Sequence, residues 1–329
     1  MIVAAGPYVY YSILINNAAV EHPKEGYRFS KITDFWMSAV GAVVSVFLKK
    51  VMPQFFQPLF AKIVKESDDE EYKLKHTWKG AQATWDMIQY IVISVWGFIV
   101  LKYHSKILPW YMGGDQTMEA AFVALYEGCP FVDQSWPVYV WFLTTQGIYY
   151  GETVKHVFFE ERGKGWMEFF IHHLATCFLV FASTMSNFIY YGAIIHYLHC
   201  TSDIAVMLVK GLGSTYYDTF TAVVFAAVHM PSWAFWRLFC LPVIIWGIYT
   251  HSDFSYKDPI FAPYDRFIAW NGHYLTILYI LHWYWFFLFV KMIYNALTTG
   301  VSEDIQESAE DGRFNKGEEA SPTGKAKND

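Results

Sequence analysis

The chain has 329 residues, 54% of them hydrophobic, 20% aromatic and only 16% charged. A soluble domain of this size carries about a quarter charged residues, so the composition excludes an ordinary soluble protein and predicts an all-α polytopic membrane protein. Much of the net charge of −6 sits in residues 301–329, which hold eight acids and four bases, and 298–329 reads as a disordered acidic tail. The four cysteines show no spacing for a disulfide framework or a zinc site, and nothing suggests a nucleic-acid partner.

Residues 1–31 open with MIVAAGPYVYYSILINNAAVEHPK, which has no basic region ahead of its apolar residues. The segment reads as neither a cleaved signal nor a span, and is placed at the membrane interface. A span needs about 20 mostly apolar residues. In chain order such runs fall at 32–48, at 86–101 with a backward extension, and at 137–158, 168–185, 186–210, 218–250 and 269–297. The sixth is too long for one straight span and contains Pro231 and Pro242, which predicts a kinked, tilted helix. About seven transmembrane helices result. Basic residues collect on the cytosolic side of such proteins. The stretch 49–79 holds seven lysines, Lys155, Arg162 and Lys164 follow the third span, and Lys210 ends the fifth. The stretch 103–136 has only Lys106, and the turn after the fourth span has no basic residue. Despite Lys24, Arg28 and Lys31 near the start, and Lys257 and Arg266 before the last span, the pattern predicts a lumenal or external N-terminus and a cytosolic C-terminus.

The fourth and fifth spans carry the chemistry. Between Glu168 and Asp203 lie His172, His173, His196 and His199. Helical neighbours fall three and four residues apart. His172, Thr176 and Ser183 share one stripe, flanked by His173 and Cys177, while His196, His199, Cys200 and Asp203 share another. At about 1.5 Å per residue, His172 lies roughly 6 Å and Asp203 roughly 10 Å from the cytosolic ends of their helices. The short turn near Ser186 and Asn187 brings the two helices into contact. Ionisable groups inside a span are costly and default to function. Three readings are open. The groups can pack the bundle through interhelical hydrogen bonds, the simplest account of His196. Histidines with one carboxylate can hold iron or zinc, but His172 and His173 point about 100° apart on a helix of 3.6 residues per turn, and neither HExxH nor HxxHH is present; no metal site is assigned. Or the imidazoles do proton or nucleophilic chemistry, with a carboxylate fixing the tautomer. A cytosol-facing pocket inside lipid suits a water-soluble activated donor and a lipid acceptor.

In order, His172, His173, Thr176, Ser183, Gly192, His199, Ser202 and Asp203 match a signature of two histidines, a threonine, a serine, a glycine and His-Asp-x-Ser-Asp. In this the chain resembles the ceramide synthase family, whose members share the TLC domain. The stretches ITDFWMSAVGAVVSVFLKKVMPQFFQPL, KGAQATWDMIQYIVI, YYGETVKHVFFEERGKGWMEFFIHH, FWRLFCLP and LYILHWYWFFLFVKMIY are similar to family segments, so the resemblance covers about 32–297. It departs at Cys200, where the family has aspartate, and at Thr184, where it has tyrosine. The resemblance implies a first span and cytosolic loop at 32–79, and a six-helix TLC bundle with a lipid-accommodating cavity at 80–297. It implies an endoplasmic-reticulum N-acyltransferase that joins a fatty acyl group from acyl-CoA, a substrate with no separate cofactor, to a sphingoid base in membrane lipid. His172 or His173 would take the amine proton or carry the acyl group, and Asp203 with His199 would orient and stabilise the charged imidazole. Thr176, Ser183, Arg237 and Lys210 are the candidate substrate-binding residues, with Arg237 equally suited to helix pairing. A homodimer, heterodimer or small regulatory subunit would be compatible, the loop near 251–267 is implicated in chain-length choice, and the closing KAKND resembles a retrieval signal. The alternative is a non-enzymatic TLC-domain protein, translocon-associated or lipid-sensing.

Overall fold

The computed structural model describes residues 2–25, 27–65, 69–126, 128–159, 162, 166–251, 259–261 and 263–299. The expectations for the acidic tail beyond residue 299, for KAKND and for most of the loop near 251–267 therefore lie outside the described residues. Twelve α-helices can be named among those described: α1 (Ile2–Glu21), α2 (Trp36–Val51), α3 (Pro53–Ile63), α4 (Glu70–Ile99), α5 (Met118–Tyr126), α6 (Trp136–Phe159), α7 (Trp166–Met185), α8 (Ile189–Gly213), α9 (Asp218–Val224), α10 (Met230–Trp233), α11 (Leu241–His251) and α12 (Pro263–Thr299). The protein is an all-α polytopic membrane protein. Its outer surface presents Val43, Phe47, Val92, Trp246 and Phe287 exposed, as lipid-facing helices require.

Among the described residues, six helical stretches are long and apolar enough to cross a membrane: Ile32–Ile63, Glu70–Ser105, Trp166–Met185, Ile189–Gly213, Asp218–His251 and Pro263–Asn295. The count differs from the expected seven at α6. This helix has the length of a span, 24 residues, but it carries Gln146, Glu152 and Lys155, and the first two bond to neighbouring helices. It packs closely on α2 because small residues meet at the crossing. A Cβ on Gly147 would stand 2.1 Å from the Ser38 carbonyl oxygen, and one on Gly41 would stand 2.1 Å from that of Thr144. Ser38 Oγ donates to the Leu143 carbonyl at 2.8 Å and accepts from Gln146 Nε2 at 2.7 Å.

Three expectations from the sequence need correction. The N-terminal segment is not an interfacial strip: α1 lies in the groove between α7 and α12, with Tyr8, Ser12, Ile15 and Asn16 buried there. Its apolar residues run round the whole helix, a pattern that suits burial between helices. Much of the stretch 49–79 is helical, in the end of α2, in α3 and in the start of α4. Lys49 is buried, its ammonium bonded to Glu152 on α6 and, at 2.9 Å, to Asp86 on α4. A charge within the bundle must be paired, and Lys49 forms ion pairs with both carboxylates. The long sixth region is interrupted as its prolines predict, but through two π-helical segments, Phe225–His229 and Ala234–Cys240. Pro231 and Pro242 cannot donate back to the preceding turn, and wider turns absorb the missing bonds.

α7 and α8 run antiparallel through a tight turn in which Asn187 adopts a left-handed φ of 58°, a conformation asparagine tolerates. Its side-chain amide donates to the Pro130 carbonyl at 2.7 Å, which ties the turn to the loop before α6.

Candidate active site

A partly open cavity lies between α6, α7, α8, the second π segment and α12. His172, Ser183, His196, His199, Asp203 and Arg237 all line it. The helical spacing of the two polar stripes brings these residues to one place. A glycine permits the approach: a Cβ on Gly192 would stand 2.8 Å from the Phe142 ring and 3.0 Å from Ser183 Cβ.

The two adjacent histidines part company. His172 faces the cavity, its ring edge-on to Trp285 at 5.3 Å between centroids, with a buried Nδ1 that has no hydrogen-bond partner. His173 turns towards α6, where its ring lies 5.4 Å from that of His156. His156 in turn fastens α6 to α7, because its Nε2 lies 2.9 Å from the Trp166 carbonyl and Trp166 Nε1 donates to the His156 carbonyl at 3.1 Å. The Thr176 hydroxyl is spent within its own helix, donating to the His172 carbonyl at 3.0 Å. On α8, His199 Nδ1 sits 2.7 Å from the Ile195 carbonyl. A carbonyl only accepts, so Nδ1 carries a proton. The Nε2 of the same ring is buried without a partner.

Arg237 organises the end of the cavity nearest Asp203. Its Nε donates to Ser202 Oγ at 2.5 Å, and its Nη2 donates to Asp203 Oδ1 at 2.5 Å and to the His199 carbonyl at 3.3 Å. Its Nη1 lies 3.0 Å from Nε2 of His282. A guanidinium has no acceptor, so His282 Nε2 accepts and its proton sits on Nδ1. The guanidinium also stacks over Trp233, 5.0 Å from the ring centroid. Arg237 thus links α8, α12 and its own π segment with four of its five N–H donors, and also lines the cavity. Asp203, expected to orient and stabilise a charged imidazole, is bonded by Arg237.

Cys200 is buried outside the cavity lining, with its Sγ 3.7 Å from the hydroxyl of Tyr149, which does line it. Lys210 is exposed at the end of α8, its ammonium 5.9 Å from the Phe169 ring centroid, and is not brought into the cavity. Among the described residues, no group of three or more His, Cys, Asp or Glu is placed to hold a metal ion. Sequence reasoning missed Tyr149, Asn271 and His282. His282 alone carried a signal, as an ionisable residue within the last span. Tyr149 and Asn271 are unremarkable until the bundle places them.

The arrangement supplies two imidazoles with unpartnered nitrogens, facing one cavity next to the Arg237–Asp203 ion pair. It can take up a proton inside the bundle and return it there.

Residues 79–291 match the family model described as the TLC domain. The chain is similar to ceramide synthase hyl-2 of Caenorhabditis elegans, 26% identical over 214 residues that make up 60% of this chain and 63% of that protein. It is similar to ASC1-like protein 3 of Oryza sativa subsp. japonica, 26% identical over 238 residues, 71% of this chain and 78% of that protein. It is also similar to ceramide synthase 4 of Homo sapiens, 25% identical over 242 residues, 71% of this chain and 55% of that protein.

Proposed function

Because the chain belongs to the TLC-domain family, we propose that it is a ceramide synthase, transferring a fatty acyl group from acyl-CoA to the amine of a sphingoid base. The observation that carries the reading is the single cavity lined by His172, His199 and Asp203 inside a membrane-embedded bundle. An acyl chain and a lipid amine both belong in such a space, and the amine needs a base before it attacks a thioester.

In this reading His172 is the base. It takes a proton from the amine as the nitrogen bonds to the thioester carbon. The carbonyl electron pair moves to oxygen and returns as the carbon–sulfur bond breaks. The imidazolium then gives its proton to the departing CoA thiolate. His199, with its unpartnered Nε2, supports the same proton movement, and Asp203 stabilises the positive charge across the cavity. Ser183 and Thr176 shape the wall, and exposed Lys210 meets the CoA phosphates at the mouth. Acyl-CoA is a substrate here, and the reading needs no cofactor.

The proposed setting is the endoplasmic-reticulum membrane, with a lumenal N-terminus, a cytosolic C-terminal tail, and the cavity opening towards the cytosolic leaflet. The lysine asymmetry supports that orientation. A second subunit, whether another copy or a regulatory partner, is compatible with it. Cys200 favours the second reading, a TLC-domain protein without enzymatic activity. The two separate in one experiment. Purified protein in lipid vesicles is given acyl-CoA and a sphingoid base, and ceramide is measured for the wild type and for Cys200→Asp. Ceramide from the wild type supports the enzyme. Ceramide from Cys200→Asp alone marks the natural chain as one that has lost the activity, and none from either removes the reading.

A further inference from the structure

We propose that Tyr8 on α1 forms the end wall of the acyl-chain slot and so helps to set the length of chain the protein accepts. The inference rests on the acyltransferase reading above for the identity of the chain. It rests on the structure for the position of the wall.

The cavity is long and has unlike ends. Along α7 it runs from His172 to Ser183, and along α8 from Asp203 to Gly192, with Leu278, Leu275 and Asn271 of α12 facing them. Each path covers eleven residues, or about 16 Å at about 1.5 Å per residue. One end holds the imidazoles and the Arg237–Asp203 pair, where a thioester belongs. Between the ends the walls are mostly apolar, with Leu179, Val180, Ile195, Leu275 and Leu278. A fatty tail pointing away from the reacting carbon must lie along them and stop at the far end.

The lining at that far end is backed from outside the region matched by the family model, which begins at residue 79. The Tyr8 hydroxyl donates to Asn271 Oδ1 at 3.0 Å, and Ser183 is also close to it. Both Asn271 and Ser183 line the cavity. The Tyr8 ring is fully buried and stacks on Phe267 at 5.0 Å and on Tyr274 at 5.6 Å between centroids. Phe188 backs Phe267 at 5.9 Å, so the rings behind Tyr8 are themselves packed. Removing the Tyr8 ring would open space continuous with the slot, bounded by aromatic faces that suit a hydrocarbon tail. The wall is held in register by Asn16, whose Nδ2 donates to the Ser30 carbonyl at 2.8 Å and to that of Met185, the last residue of α7, at 3.0 Å. Tyr8 lies eight residues from Asn16, about 12 Å further into the bundle.

The test uses the full chain in lipid vesicles with a sphingoid base and an equimolar series of saturated acyl-CoAs, and reads the chain-length distribution of the ceramide formed. Tyr8→Ala should move the preference to longer chains by about tenfold, the discrimination that burying roughly two more methylenes confers. Tyr8→Leu, which keeps an apolar contact and guards against loss of the fold, should move it the same way by less. Tyr8→Trp should move it to shorter chains. Tyr8→Phe should leave it unchanged, because the ring remains. Opposite shifts for the smaller and larger side chains are not produced by destabilisation. An unchanged distribution in Tyr8→Ala and Tyr8→Trp, with the wild type active, overturns the proposal and leaves the enzyme reading standing. If the wild type makes no ceramide, the enzyme reading falls. Binding of the same acyl-CoA series to the detergent-purified chain then decides the wall. A Tyr8-dependent length preference in binding supports it, and no binding or no such dependence overturns it.

Discussion

Replacing Arg237 with leucine tests whether the site is held together by one guanidinium. The side chain donates to Ser202, Asp203, the His199 carbonyl and His282, and is only 4% exposed against 18% for the Asp203 side chain. Removing it strands Asp203 as an unpaired charge in a largely apolar surround. Breaking a buried pair from one side costs about 3–5 kcal/mol. At about 2 °C per kcal/mol, the low end for large domains, the melting temperature should fall by about 6–10 °C. Arg237→Leu with Asp203→Leu removes both charges and should recover more than half of that loss, because the stranded carboxylate is the larger part of it. Neither variant should make ceramide. The measurement is the temperature at which detergent-solubilised protein loses its monodisperse size-exclusion peak. A fall of under about 2 °C in the single variant would sink the argument, since the network would then contribute no more than an exposed ion pair. A double variant as unstable as the single one would show that the loss comes from Ser202 and His282.

His172→Ala and His199→Ala should each lower N-acylation by at least about 100-fold, the low end of general acid–base effects. His173→Ala, on the face turned to His156, should cost less than either, and initial rates at saturating acyl-CoA rank the three. Gly192→Ala drives a Cβ into Phe142 and Ser183 and should destabilise the chain by about 1–3 kcal/mol, read by the same thermal assay. Protease added to sealed microsomes should remove a tag placed after Asp329 and spare one placed before Met1. The reverse pattern would put His172 and Asp203 on the lumenal side.

Much of this was legible before any coordinates, and the exceptions have physical causes. The stripes on α7 and α8 could be read because polar groups three and four residues apart stand out in an apolar run, and the turn at Asn187 then forces them together. The separation of His172 from His173 followed from helical geometry alone. Lys49 was misread because a lysine close to a lysine-rich stretch looks like a surface residue; its partners Asp86 and Glu152 are distant in sequence. The role of α1 was hidden because an apolar helix looks the same whether it meets lipid or protein. Arg237 and His282 could each be noticed as charged or ionisable groups in a span. That they meet depends on how the π segment rotates α10 and α11 relative to α12, and periodicity carries no information about that.

The cluster of Lys49, Asp86 and Glu152 bears on how the protein is made. Chains emerge N-terminus first, so α2 and α4 are synthesised before α6. A lone lysine or carboxylate costs about 2.5–3.5 kcal/mol to insert at the middle of a span. Lys49 and Asp86 can neutralise each other as soon as α4 is in place, at 2.9 Å in the finished protein. α6, absent from the helical stretches apolar enough to be spans by composition alone, then brings Glu152 to an ammonium already waiting for it. The helix that precedes the TLC region is therefore a template for integrating α6 during synthesis, and a ribosome-bound chain lacking α2 should release α6 to the lumen or cytosol instead of the bilayer.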